Sequence, residues 1–382
     1  MKLTTAGESH GKALVAVIEG LPAHLHIDKD QIDGALVRRQ GGFGRGARQK
    51  IEKDRVEILT GVRNNQTLGS PLTLCIYNKD FDNWKTSMSA GECEKVAMEE
   101  KKLTKVRPGH ADLTGMVKFE QTDARNILER ASARETAIRV AAGEVYRAYL
   151  TELGVEIAGY VTEVCGVKDG KQYAFDEVLN AKNTELGVLD KELETLAKEK
   201  ITALKAAGDT AGGVVEIRVR GLQCGFGSMM TYGGKLDARL AQGLMSIQAV
   251  KGVEFGLGFA VGEKCGSEVH DEIFYDEGRG YYRKTNRAGG IEGGMSNGEE
   301  IVVRVAMKPI PTLMKGLKTV DYDSKKAVTA AAERSDVCAI YALEVIAEAV
   351  VAQVLADVVS ERLGGDTMEQ VVKRYKELPK QA

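Results

Sequence analysis

Short apolar runs of β type recur along the chain, at residues 14–19, 56–60, 72–77, 155–164, 214–220, 253–261 and 301–307, with helix-type stretches between them. This alternation constrains the fold most, because each apolar face needs a partner layer and few layered architectures supply one. Residues 28–39 open with Asp28, a side chain suited to capping a helix, and residues 135–150 are rich in Ala, Arg and Val. Residues 188–207 carry Leu189, Leu193 and Leu196 at helical spacing, and the Ala/Val-rich stretch 324–363 reads as a helix that breaks near Arg334. The chain is therefore α/β or α+β. No linker, repeat or low-complexity segment divides it. Residues 1–382 read as one compact domain, with the polar stretch 168–212 as a peripheral helical insertion.

Composition narrows the function. A formal charge of −2 argues against a general binder of nucleic acid or membrane surfaces, which needs a broad basic face. No apolar run reaches the ~18 residues of a membrane span. The N-terminus lacks the apolar core of a signal peptide. The six cysteines are scattered with no Cys-x-x-Cys pair, which fits reduced thiols of a cytoplasmic protein and argues against a zinc site. The 43 glycines exceed an average share of about 7% and cluster, which points to turns and ligand-facing loops.

Against that near-neutral background, residues 38–48 read Arg-Arg-Gln-Gly-Gly-Phe-Gly-Arg-Gly-Ala-Arg. Arg38, Arg39, Arg45 and Arg48 repel one another unless an anion of several charges shares the site, and a guanidinium matches carboxylate or phosphate with a rigid fork. A solvated basic loop is the plainer alternative. Polar, glycine-containing segments elsewhere add to the case. Gly7-Glu8-Ser9-His10-Gly11 sets a histidine between glycines before the first apolar run. A lone histidine is more often structural, but this setting favours an adaptable imidazole able to donate a proton near neutral pH.

Arg107-Pro108-Gly109-His110-Ala111-Asp112 holds a second histidine in a rigid turn, with Asp112 close enough to orient it. Arg130-Ala131-Ser132-Ala133-Arg134 leads into a helix. It reads either as an anion site at a helix N-terminus or as an ordinary start capped by Ser132. Residues 287–298 hold five glycines in twelve and suit a flat ligand at backbone distance, or simply several turns. Lys308-Pro309-Ile310-Pro311-Thr312 is an extended segment fixed by two prolines. Glu333-Arg334-Ser335-Asp336 offers an arginine and a carboxylate, a pairing that is more often structural. Together these segments describe an enzyme for a small phosphorylated, carboxylated substrate, with acid–base histidines.

In chain order, these segments and Ser246-Ile247-Gln248-Ala249-Val250-Lys251-Gly252 resemble the chorismate synthase family, from the first ten residues to about residue 365. The resemblance implies a β-α-β layered sandwich in a homotetramer. It implies an anti 1,4-elimination of phosphate from 5-enolpyruvylshikimate 3-phosphate, giving chorismate, with reduced FMN required and not consumed. By similarity His10 protonates the leaving phosphate, His110 supports the reduced flavin near its N1 and O2 region, and Asp336 is the base working through the flavin N5. Arg39, Arg45, Arg48, Arg134 and Arg334 hold anionic groups. Flavin contacts fall on Arg107, Arg130, Ala131, Ser132, Gln248, Ala249, Gly293, Lys308, Pro309, Ile310, Pro311, Thr312 and Arg334. Arg39 and Arg45 are also implied for a pyridine nucleotide. The absence of a nucleotide-binding fingerprint makes NADPH an external source of reductant, through a separate flavin reductase. The rival readings are a flavin-dependent redox enzyme and a polyanion-binding module. The second lacks stacking aromatics, at 5% of residues.

Overall fold

The computed structural model describes residues 1–46, 53–330 and 336–379. Two antiparallel sheets enclose a layer of helices. Strands β1 (Lys2–Ala6), β2 (Ala13–Glu19), β3 (Glu57–Thr60) and β4 (Leu72–Tyr77) form one sheet in the order β1-β2-β4-β3. Strands β5 (Glu156–Val164), β6 (Val167–Lys168), β7 (Gly213–Arg220), β8 (Val250–Phe255) and β9 (Ile301–Met307) form the other, in the order β8-β9-β7-β5-β6. The antiparallel ladders make the chain α+β, with the layered β-α-β arrangement expected from the family resemblance.

Three helices fill the middle: α1 (Lys29–Gln40), a helix over Thr136–Thr151 and another over Ile340–Leu363. Two short helices that carry site residues precede the second of these. With them, the order is α2 (Asp112–Phe119), α3 (Arg125–Ala131), α4 (Thr136–Thr151), α5 (Lys191–Ala206), α6 (Leu236–Met245), α7 (Ile340–Leu363) and α8 (Met368–Lys376). Helix α4 packs on β2 and β4, and α7 packs on α4, β5 and β7. The α4–α7 crossing requires glycine. A Cβ on Gly143 would lie 2.7 Å from the Cα of Ala349, so no side chain fits between the two backbones. Burial on all sides explains why α7 is apolar around nearly its whole circumference rather than on one stripe.

Asp28 caps α1 as expected, its carboxylate accepting from the N–H groups of Asp30 and Gln31. Two expectations need correction, and one strand was not foreseen. The apolar run 253–261 is strand only to Phe255; Gly256 takes a positive φ of 55° and a 3-10 turn follows over Gly258–Glu263. The stretch 324–363 is not one broken helix, since Ala327–Thr329 pairs with Lys318–Val320 and the helix proper begins at Ile340. Strand β1 gave no apolar signal, because it is a polar edge strand with alternate residues exposed.

The expected helix from 188 begins at Lys191, capped by Asp190. Its buried residues are Ala197 and Ile201, whereas Leu196 is half exposed. Within the stretch 168–212, α5 packs against the arginine segment: a Cβ on Gly44 would lie 3.0 Å from Ile201 Cγ2, and Lys198 sits over the Phe43 ring at 5.9 Å.

Candidate active site

His10 lies in the β1–β2 turn and is latched to α3 at three points. The Ser9 N–H donates to the Glu129 carbonyl (2.9 Å), the His10 N–H donates to Glu129 Oε2 (2.7 Å), and His10 Nδ1 meets Glu129 Oε1 at 2.9 Å. Both His10 and Glu129 are buried. Burial alone would raise the Glu129 carboxyl, but hydrogen bonds from His10 and the charge of Arg125 hold it below the usual carboxylate range. With Nδ1 committed to the carboxylate, Nε2 is the nitrogen left for chemistry.

A chain of polar contacts runs from this corner to the arginines. Asn78 donates to the carbonyls of Glu8 (3.1 Å) and Gly11 (2.7 Å) and accepts from Arg134 Nε (2.9 Å). Arg134 Nη1 donates to Asp54 (2.7 Å), and Arg39 approaches the same carboxylate at 3.9 Å. Arg39 also donates to Thr136 Oγ1 (2.9 Å) and the Ala133 carbonyl (2.8 Å). Burial pushes its guanidinium down to about 9; Asp54 opposes this, and the neighbouring Arg134 and Arg45 add to it. Among the described residues, the guanidinium groups of Arg39, Arg45 and Arg134 share two carboxylates, Asp54 and Asp336. Asp336 pairs with Arg45 Nε at 3.1 Å and accepts from the Gly46 N–H at 2.6 Å. Arg45 Nη1 is buried without a hydrogen-bond partner among the described residues. Among the described residues the cluster holds more guanidinium groups than carboxylates, a composition that suits an anionic ligand.

Arg38 departs from the expected four-arginine cluster. It turns into the core and donates to Glu344 (3.0 Å) and Glu348 (3.2 Å) of α7, where Arg147 also reaches Glu348 (2.9 Å). Both glutamates are buried, and without these cations their cost would be prohibitive. Arg38 thus anchors the segment that presents Arg39 and Arg45. Arg48 and Arg334 lie outside the described residues.

The second histidine loop has its own carboxylate. His110 Nδ1 lies 2.5 Å from Asp112 Oδ1, and Arg107 grips Asp112 with Nε (2.8 Å) and Nη2 (2.9 Å). Burial would raise the Asp112 carboxyl, but His110 and Arg107 hold it well below the usual range. Arg107 Nη1 reaches Thr312 Oγ1 (3.4 Å), and Lys308 Nζ donates to the Gly109 carbonyl, so the 308–312 segment closes against this loop. The Lys308 N–H donates to Ala249 (3.0 Å), itself in a left-handed conformation with φ 70°.

Gln248 leads back toward His10. Its Nε2 donates to Glu135 (3.3 Å), which accepts from Thr5 Oγ1 (2.9 Å), and Arg130 donates to Thr5 and to the Gly7 carbonyl (3.3 Å). Thr5, Arg130, Glu135, Arg139, Ser246 and Gln248 line a cleft of about 340 Å³. Gln248 Oε1 is buried without a hydrogen-bond partner among the described residues. Ser132 caps the 3-10 turn Ala133–Glu135 that runs into α4, the ordinary alternative for that segment. Gly293 and Gly294, at φ 58° and 81°, turn a hairpin between Ile291–Glu292 and Met295–Ser296. That hairpin joins the segment around Phe226 and Leu236 rather than the histidine loops. A larger cavity, about 520 Å³, lies between His24 and α8 and contains none of these residues.

Sequence reasoning missed Glu129, Asp54 and Asn78. Each is distant in sequence from the residue it serves, and none sits in a glycine-rich loop.

Comparisons with known proteins identify the family. The chorismate synthase family profile matches residues 1–360. A chorismate synthase of Caldicellulosiruptor bescii is 50% identical over 382 residues, covering 99% of both chains. One from Geobacter metallireducens is 51% identical over 384 residues, covering 98% of this chain and 97% of its own. A crystal structure of chorismate synthase, 40% identical, superposes with a TM-score of 0.78 over 98% of this chain and 96% of that one. The chain belongs to the chorismate synthase family, lyases of the shikimate pathway.

Proposed function

We propose that this chain converts 5-enolpyruvylshikimate 3-phosphate to chorismate by anti 1,4-elimination of phosphate, with reduced FMN and no net redox change. The observation that carries the reading is an imidazole held by a carboxylate, on a loop whose backbone is joined through Asn78 to a buried cluster of arginines. That is a proton donor beside a polyanion site. Arg39, Arg45, Arg48, Arg134 and Arg334 hold the two carboxylates and the phosphate. His10 gives the proton on Nε2 to the departing phosphate, which leaves poorly as a fully charged anion. Asp336 accepts the proton removed from the ring.

The residues fit a flavin. The cleft at Gln248 offers a buried acceptor with no partner among the described residues, together with Arg130, and the Arg107–Thr312 and Lys308–Gly109 contacts wall its neighbourhood. Arg107, Arg130, Ala131, Ser132, Gln248, Ala249, Gly293, Lys308 to Thr312 and Arg334 would hold it, with His110 keeping a proton on Nε2 at its edge. The chemistry supplied by reduced FMN, when bound, is electron density for breaking the allylic C–O bond, returned within the same turnover. An external NADPH-dependent reductase supplies the reduced form. Unpaired cysteines suit a cytoplasmic setting. Exposed Phe259, Tyr232 and Met230 suit burial in a homotetramer.

The test is an anaerobic assay with the substrate. Chorismate should form only with reduced FMN, and the flavin should remain reduced. Formation at full rate without flavin, or with oxidised FMN in air, overturns the reading.

A further inference from the structure

We infer that Trp84 is a positioning residue for His10: its indole face holds the imidazole plane and favours the protonated ring, keeping a proton at Nε2 for transfer. The inference rests on the reading of His10 as the proton donor.

Trp84 is the one tryptophan in the sequence. It follows the 3-10 turn Lys79–Asn83, and its Nε1 donates to Asp80 (3.1 Å), which fixes the ring. Its centroid lies 4.1 Å from that of His10 with 29° between the planes, a stacked contact. Glu129 grips the imidazole by one edge only, which leaves rotation about that contact open. The indole face removes this freedom.

An aromatic face attracts a cation within about 6 Å, so the stack favours imidazolium over imidazole. The charged groups around the pair act in both directions. Glu129 favours the proton. Lys101 Nζ, 4.6 Å from the Trp84 centroid, and Arg125, 5.0 Å from it and 3.5 Å from Glu129, oppose it, and Asp80 at the indole N–H partly offsets them. The indole and Glu129 thus act on the ring against two nearby cations, and removing either should show.

Because the tryptophan is unique, its emission in the full-length protein reads the stack directly. A protonated imidazole in contact quenches indole emission. Emission should therefore rise with pH through a single midpoint between about pH 5 and 8, and His10→Gln should abolish that step. In turnover, Trp84→Ala should move the alkaline limb of the kcat profile down by about half to one pH unit, and Trp84→Phe by less. Substrate KM and the Kd of oxidised FMN should change by less than about threefold. A Trp84→Ala protein with a lower melting temperature and an unmoved alkaline limb makes the residue merely structural and overturns the inference. Wild-type emission indifferent to His10→Gln overturns it too. If the emission step is present but His10→Gln leaves the kcat profile unchanged, the stack stands, while the proton-donor reading and the role built on it fall.

Discussion

The two histidine loops solve one problem in different ways. Each imidazole is held at Nδ1 by a buried carboxylate, His10 by Glu129 and His110 by Asp112. Asp112 is two residues from its histidine, gripped twice by Arg107, and its loop is a self-contained turn. Glu129 is 119 residues from His10, comes from a different element, and has a weaker cation beside it, Arg125 at 3.5 Å. Local geometry builds the first pair. The second exists only when α3 docks on the β1–β2 turn. The His110 loop should therefore behave as a rigid unit, and the His10 corner as a product of tertiary packing.

The largest effect that could break this comparison comes from Asp112. Removing one partner of a buried ion pair leaves an uncompensated charge, so Asp112→Ala should cost about 3–5 kcal/mol of folding stability, read by denaturant unfolding. A loss no larger than that of an exposed aspartate would mean that Arg107 finds another anion. Second is Arg45, whose Nη1 is buried without a partner among the described residues. Arg45→Lys keeps the charge and loses the fork, so substrate binding should weaken about tenfold by calorimetry. An unchanged dissociation constant would remove Arg45 from the anion site.

Third is Glu129→Gln, which keeps a hydrogen-bonding group but loses the charge; turnover should fall about tenfold, with about 1 kcal/mol of stability. A fall as large as that from deleting His10 itself would make Glu129 more than a support. The smallest effect concerns acid. Both carboxyls are depressed in the folded state, so their contribution is present above their unfolded values, near pH 4, and is lost as pH falls through the lower folded ones. Melting temperature should drop less steeply below about pH 4 in Asp112→Asn and Glu129→Gln than in the wild type. Parallel curves would contradict the assigned pairings.

The same contrast explains what the sequence disclosed. Asp112 was legible because its partner is a neighbour, and Asp28 because a cap is a local device. Glu129 and Asp54 sit in ordinary sequence, and their partners are chosen by packing. Arg38 was misjudged for the same reason: its proximity to Arg39 in sequence hides that a helix sends consecutive side chains in different directions, one to Asp54 and one to Glu344. The glycines at 293 and 294 turn a hairpin, one of the two roles that their sequence left open. The apolar runs disclosed the interior strands but not the polar edge strand β1. The apolar run 253–261 hides its turn because Gly256, which ends the strand, is flanked by apolar residues on both sides.

The central claim is that a carboxylate-held imidazole beside the arginine cluster donates the proton to the leaving phosphate. The most direct test is anaerobic single-turnover phosphate release by His10→Gln with reduced FMN, measured beside its substrate dissociation constant. The account predicts release slowed by about 10²–10⁴-fold with binding changed by less than about threefold. Release at the wild-type rate would contradict it.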